Sequence, residues 1–154
     1  NRIPLATQTG TLTMAEALEL VGKQILGVQV VRRLARGSWS EVFQGEHMAL
    51  GRSVVLKVFP SGNEATDDAL RRFIANAETL SALEHDNLAA YLDAGKHEDA
   101  KVLVQHYVDG ETLAARLKRQ GAMEPAMAAV TFRDVARGLE AVHTSGLGHG
   151  DLKP

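Results

Sequence analysis

The chain has 154 residues, 45% of them apolar and 23% charged, which suits one ordinary soluble domain or a piece of a larger one. A formal net charge of -2 gives no electrostatic case for nucleic acid or an anionic membrane as partner, and zero cysteines exclude disulfides and thiolate-ligated zinc while fitting a reducing, cytoplasmic compartment. No apolar run reaches the roughly 18 residues of a membrane span, and the sequence does not open on a basic-then-apolar signal pattern.

Residues 1 to 12 are rich in Thr, Gly and Gln and are expected to be loose. Thr13-Met-Ala-Glu16 forms a capping box. Met14, Leu18, Val21 and Ile25 follow at helical spacing, with Gly27 as the stop, so a short amphipathic helix is expected there. From Gly27 the period falls to two. Val28 to Leu34 reads as a strand, Ala35 to Ser40 as a turn, Glu41 to Met48 as a second strand and Ser53 to Phe59 as a third. Strands this closely spaced pair antiparallel.

Pro60 to Thr66 reads as a loop, and Asp67 to Leu83 as a helix with Leu70, Phe73, Ala77 and Leu80 along one face. Leu88 to Ala94 and Val102 to Tyr107 read as two more strands around a polar tip at Gly95 to Lys101. Thr112 to Gln120 is a short helix ended by Gly121. Pro125 opens a long helix that turns Phe132, Val135, Leu139 and Val142 inward and closes at Ser145-Gly146, leaving Leu147 to Pro154 as a terminal loop. Five strands with one helix inserted after the third, then mostly helices, make an α+β fold.

Ser53-Val-Val-Leu-Lys57-Val-Phe59 is the stretch that asks for an explanation. Val54, Leu56 and Val58 share one face of that strand, and Val55, Lys57 and Phe59 share the other. Burying the Lys57 ammonium is costly unless an anion meets it; on an edge strand it would instead reach water. A turn of small residues such as Ala35, Gly37 and Ser40 can fold over a phosphate chain and offer it backbone N–H groups. In the terminal loop, Asp151 and Lys153 put a carboxylate two residues from an ammonium. The carboxylate can orient or deprotonate a hydroxyl, and the ammonium can offset charge on a phosphoryl group in transfer. His47, His97 and His143 show no metal-ligand spacing and are read as surface or packing residues.

Together these segments resemble the eukaryotic-like (Hanks-type) serine/threonine protein kinase family over about residues 27 to 154. Leu34-Ala-Arg-Gly37-Ser-Trp-Ser40-Glu-Val42 is similar to the glycine-rich loop, and Val54-Val-Leu-Lys57 to the V-A-I-K strand. Leu83-Glu-His85-Asp-Asn87-Leu88 resembles the link from the regulatory helix into the fourth strand. Leu103-Val-Gln105-His106-Tyr-Val108-Asp109-Gly110 resembles the gatekeeper and hinge, and His149-Gly-Asp151-Leu-Lys153-Pro154 the start of the catalytic loop.

The resemblance implies a five-stranded N-lobe with its regulatory helix, followed by the first helices of a C-lobe. It divides the chain into an extension at 1–26, the N-lobe and hinge at 27–108 and an incomplete C-lobe at 109–154. It implies ATP as cofactor, with the adenine between Leu34, Val42 and Val55 and the phosphates under the loop that holds Ala35 and Gly37. The hinge backbone at His106 and Val108 would bond the adenine edge, and Asp109 would meet the ribose. Lys57 would meet the α- and β-phosphates, Asp151 the hydroxyl of a protein substrate, and Lys153 marks the serine/threonine type. Magnesium is implied too, but both of its protein ligands would lie beyond Pro154, so no metal ligand is assigned here.

Four features depart from the family pattern. Ala35 and Ser40 replace two loop glycines, a stiffening of about 0.5–1 kcal/mol wherever positive φ is wanted. Asn76 stands where the helix glutamate partnering the strand lysine belongs, with Glu78 turned about 200° away around the helix. An amide in place of a carboxylate weakens the hold on Lys57 by about tenfold. Gly150 replaces an arginine that commonly reads an activation-loop phosphate. The chain also stops before the metal ligands and begins at Asn1, so an inactive fragment of a kinase is expected. The thinned loop and Asn76 leave a pseudokinase acting as a regulatory or scaffolding module as the alternative. The His-Gly-Asp triplet leaves small-molecule phosphotransferases of the same fold as a lesser one.

Overall fold

A computed structural model describes residues 20–37, 40–60, 71, 79, 81–149 and 152–154. Among them six strands form one antiparallel sheet: β1 (Gln24–Ile25), β2 (Val28–Arg36), β3 (Glu41–His47), β4 (Arg52–Phe59), β5 (Tyr91–His97) and β6 (Ala100–His106). Their spatial order is β1-β2-β3-β4-β6-β5. Two helices follow, α1 (Leu113–Gln120) and α2 (Pro125–Thr144), so the fold is α+β as the sequence implied.

The alternation in β4 sets the layers. Val54, Leu56 and Val58 are fully buried and join Phe43, Val102, Val104, Val28 and Val30 in one core, while Val55, Lys57 and Phe59 on the other face are partly exposed. Burying each such valine or leucine contributes about 1.5–3 kcal/mol, so this face is where the sheet draws its stability.

The five expected strands are present, and β1 is an addition. The helix expected from Thr13 to Ile25 does not reach its last residues, since Gln24 and Ile25 pair with Gln29 and Val28 of β2. Leu26 and Gly27 connect them with φ of 48° and 72°, the double positive φ of a two-residue hairpin turn that matches strand twist. Ile25 is buried as the helical pattern required, but as a strand residue; Val21 is exposed. Residues 13–19 lie outside the described ones.

Strand β5 sits three residues later than expected because Gly95, which reads as a turn residue, is inside the strand opposite Val102. The tip is the short Glu98–Asp99 turn, with Glu98 at φ 52°. Of the helix expected over 67–83, positions 71, 79 and 81 are helical, and the others, apart from Ala82 and Leu83 after its end, lie outside the described residues.

Both later helices begin and end where their sequence signals stand. Thr112 caps α1, its Oγ1 accepting from the Ala115 amide at 3.1 Å, and the Gly121 amide closes it onto the Leu117 carbonyl at φ 78°. Pro125 occupies the first turn of α2. That helix meets the rest of the molecule at Gly138, where an added Cβ would lie 3.0 Å from the Asn87 carbonyl. Of the four residues expected to face inward, Val142 is buried, Val135 and Leu139 are half-buried and Phe132 is 61% exposed. Phe132 shares its side of the helix with half-buried Leu139, and most of its surface is open.

Candidate active site

Lys57 lies in an interior strand, between β3 and β6, so the edge-strand reading of this lysine does not hold. Its cross-strand neighbours are Val42 on β3 and Leu103 on β6, and directly opposite residues project to the same side of a sheet. Leu103 is only 4% exposed yet lies outside the main core cluster, as expected of a residue on the Lys57 face. The row one step along holds Gln44, Val55 and Gln105. Val42, Val55 and Lys57 therefore share one surface, apolar at two positions and cationic at the third.

The turn expected to overhang this surface is a tight hairpin. Arg36 pairs with Glu41, and the Gly37 amide donates to the Ser40 carbonyl at 2.8 Å, leaving a loop of two residues, 38–39, outside the described ones. Lys57 is opposite Val42, one register step from the pair that closes the hairpin. Ala35 also pairs with Val42, and a bulge between Arg33 and Ala35 makes Leu34 a surplus residue. Leu34 and Ala35 thus stand side by side opposite Val42, and Leu34 is partly buried.

At the far end of β6 the sheet bonds run out. The His106 amide donates to the Ala90 carbonyl at 2.9 Å and the Tyr107 amide to the Ser53 carbonyl at 3.3 Å; from Tyr107 the backbone has left the ladder. Val108 is 66% exposed and Asp109 is exposed, so this connector presents main chain and a carboxylate at the margin of the surface. His149 and Lys153 flank the terminal motif, whereas Gly150 and Asp151 lie outside the described residues, as do Asn76 and Glu78.

Two side chains near this site, one on each face of the sheet, were not singled out from sequence. Gln105 carries a buried Oε1 with no hydrogen-bond partner among the described residues, next to Val55 in register. Glu41 is fully buried, with Arg33 Nη1 at 3.5 Å and Arg36 Nε at 3.3 Å from its two oxygens. Across the sheet, Tyr91 pairs with Gln105, and burial pushes its phenol above the usual tyrosine range.

The protein kinase domain model matches residues 28–154 of this chain. The chain belongs to the protein kinase family. Among its relatives in the protein kinase family, the serine/threonine-protein kinase pkn2 of Myxococcus xanthus is 38% identical over 126 residues, which is 82% of this chain and 15% of that protein. The serine/threonine-protein kinase PknD of Mycobacterium tuberculosis is 32% identical over 143 residues, 92% of this chain and 21% of the relative. The crystal structure of the PknI kinase domain of M. tuberculosis superposes with a TM-score of 0.76 at 28% identity, covering 87% of this chain and 56% of that one. The six-stranded sheet with its two helices is accordingly a kinase N-lobe with the opening of the helical lobe. The chain spans well under half the length of the curated kinases it matches.

Proposed function

We propose that this chain is the nucleotide-binding part of a serine/threonine protein kinase, which moves the γ-phosphoryl group of ATP to a protein hydroxyl. The observation that carries this reading is the placement of Lys57 in an interior strand, one register step from the Arg36–Glu41 pair that closes the small-residue hairpin. A half-buried cation in that position suits oxygen anions brought to it.

The residues fit a nucleotide in three respects. Val42, Val55 and Leu34 supply apolar surface for a flat base. The connector at His106 to Asp109 supplies main-chain groups at the edge of that base and a carboxylate for the ribose. Lys57 supplies positive charge for phosphates, and the small-residue hairpin beyond Gly37 allows their close approach to backbone. Catalysis would then rest on positioning and electrostatics. Lys57 holds the α- and β-phosphates, Asp151 orients the attacking hydroxyl and accepts its proton, and Lys153 offsets charge on the group in transfer. Magnesium, when bound, would offset charge on the phosphates. By resemblance to the family, its protein ligands would lie in sequence following Pro154.

No helix among the described residues is long and apolar enough to cross a membrane. The kinase portion is read as cytoplasmic, acting on a protein partner.

The test uses the full-length protein. Wild type should bind Mg-ATP and phosphorylate a protein acceptor; Lys57→Met should weaken nucleotide binding, and Asp151→Asn should abolish transfer with binding retained. Nucleotide binding without any transfer in the wild type would favour the pseudokinase reading, and absence of both would overturn the assignment.

A further inference from the structure

Glu41 is the single charged residue buried in the core among the described residues, and its burial needs a cause. Neither carboxylate oxygen makes a hydrogen bond, and the groups facing them are the Arg33 and Arg36 guanidinium groups at 3.5 and 3.3 Å. A carboxylate fully withdrawn from water is held in place by charge or not at all.

The arrangement depends on an irregularity in β2. Arg33 and Arg36 are three apart, so in a regular strand they would project to opposite faces. The bulge at Leu34 inserts one residue between the pairs Arg33↔Phe43 and Ala35↔Val42, which returns Arg36 to the same side as Arg33. That side is the core side, where Phe43, Val58 and Glu41 lie. The same bulge sets Leu34 beside Ala35 opposite Val42, so the clamp and the apolar roof of the cleft come from one feature. Arg33 and Arg36 keep 38% and 53% of their side-chain surface in solvent, so the clamp is anchored at its acid and open at its bases.

We propose that Glu41 is a positioning residue for nucleotide: its buried carboxylate, gripped by Arg33 and Arg36, fixes the backbone at Gly37 and Ser40 on the phosphate side of the cleft. This rests on the nucleotide-binding reading above. Arg36 and Glu41 are the pair immediately below the hairpin, so a change in their separation is passed directly to the Gly37 and Ser40 backbone. The base meets Leu34, Val42, Val55 and the connector, of which only the first two adjoin the clamp, so it should register that change far less than the phosphates do.

The experiment compares ATP with adenosine on the full-length kinase and two variants. Glu41→Gln keeps the shape and removes the charge; Arg36→Gln alters only a half-exposed side chain. Each should weaken ATP binding and raise the KM for ATP by about tenfold, with kcat and adenosine affinity within twofold of wild type. Equal weakening of ATP and adenosine would mean a merely structural role, and unchanged ATP affinity in both variants would mean no role; either result overturns the proposal. A wild-type protein that binds neither ligand would instead bring down the nucleotide-binding reading itself.

Discussion

The side chain of Leu26 occupies the space that a Cβ on Gly95 would take. An ideal Cβ there would sit 2.8 Å from Leu26 Cδ2 and 3.2 Å from Cδ1. Leu26 belongs to the turn between β1 and β2, and Gly95 to β5, so the contact joins strands at opposite margins of the sheet. The sheet is therefore curled on itself, and the core lies inside the curl. Gly95→Val should overpack this contact and cost about 1–3 kcal/mol, read as a lowered urea midpoint. Adding Leu26→Ala to that variant should recover part of the loss. Strictly additive losses would show that the two sites do not touch.

Tyr91 makes stability depend on alkaline pH. Burial raises its phenol pKa above the ordinary value of 10.0, so the folded state favours the neutral form. The sign follows: this contribution is complete below the unfolded pKa and is lost as pH rises through the folded one. Urea midpoints between about pH 8 and pH 11 should fall at the upper end in wild type. In Tyr91→Phe that alkaline fall should be shallower, and an identical decline in both proteins would refute the assignment.

Helix α2 leaves Met127, Val130 and Phe132 at 47%, 43% and 61% exposure. Apolar surface on that scale in one helix marks a contact normally covered. The 154-residue stretch on its own should self-associate, and Phe132→Asp should move its sedimentation profile toward monomer. A monodisperse, cooperatively unfolding monomer before any substitution would argue against a partner surface on α2.

Thr112→Ala removes the oxygen that accepts from the Ala115 amide at the start of α1. A lost N-cap costs about 1 kcal/mol, and in so short a helix the effect should be local. Hydrogen exchange should quicken at Ala115 and its neighbours while β3 and β4 keep their protection. Uniform quickening would show α1 to be cooperative with the sheet.

Much of this was legible in the residues because local and long-range preferences agree. The period-two pattern of β4 put Val54, Leu56 and Val58 on one face and Lys57 on the other, and in the structure the first face is the core. The caps at Thr112, Gly121 and Pro125 set both later helices to within a residue. Where the reading failed, two patterns coincided. Val21 and Ile25 satisfy helical spacing, but the positive φ at Leu26 and Gly27 makes Ile25 the end of a hairpin strand. Gly95 suggested a turn because glycine serves both turns and close approaches, and only the position of Leu26 decides between them.

The clamp at Glu41 was hidden for a different reason. Alternation counted along β2 places Arg33 and Arg36 on opposite faces, and only pairing with β3 reveals the residue that breaks the count. An arginine pair at odd spacing beside an acid in the next strand is the one signal that could have pointed to it.

Strand β2 has nine residues and β3 seven, with the two surplus positions taken up by irregularities around Val31 and Leu34. A ribbon whose one side is longer than the other must bow, as a bimetallic strip does when heated. Shortening β2 by those two positions would equalise the sides and relax the bow, and Leu26 would then swing clear of the strand it now reaches.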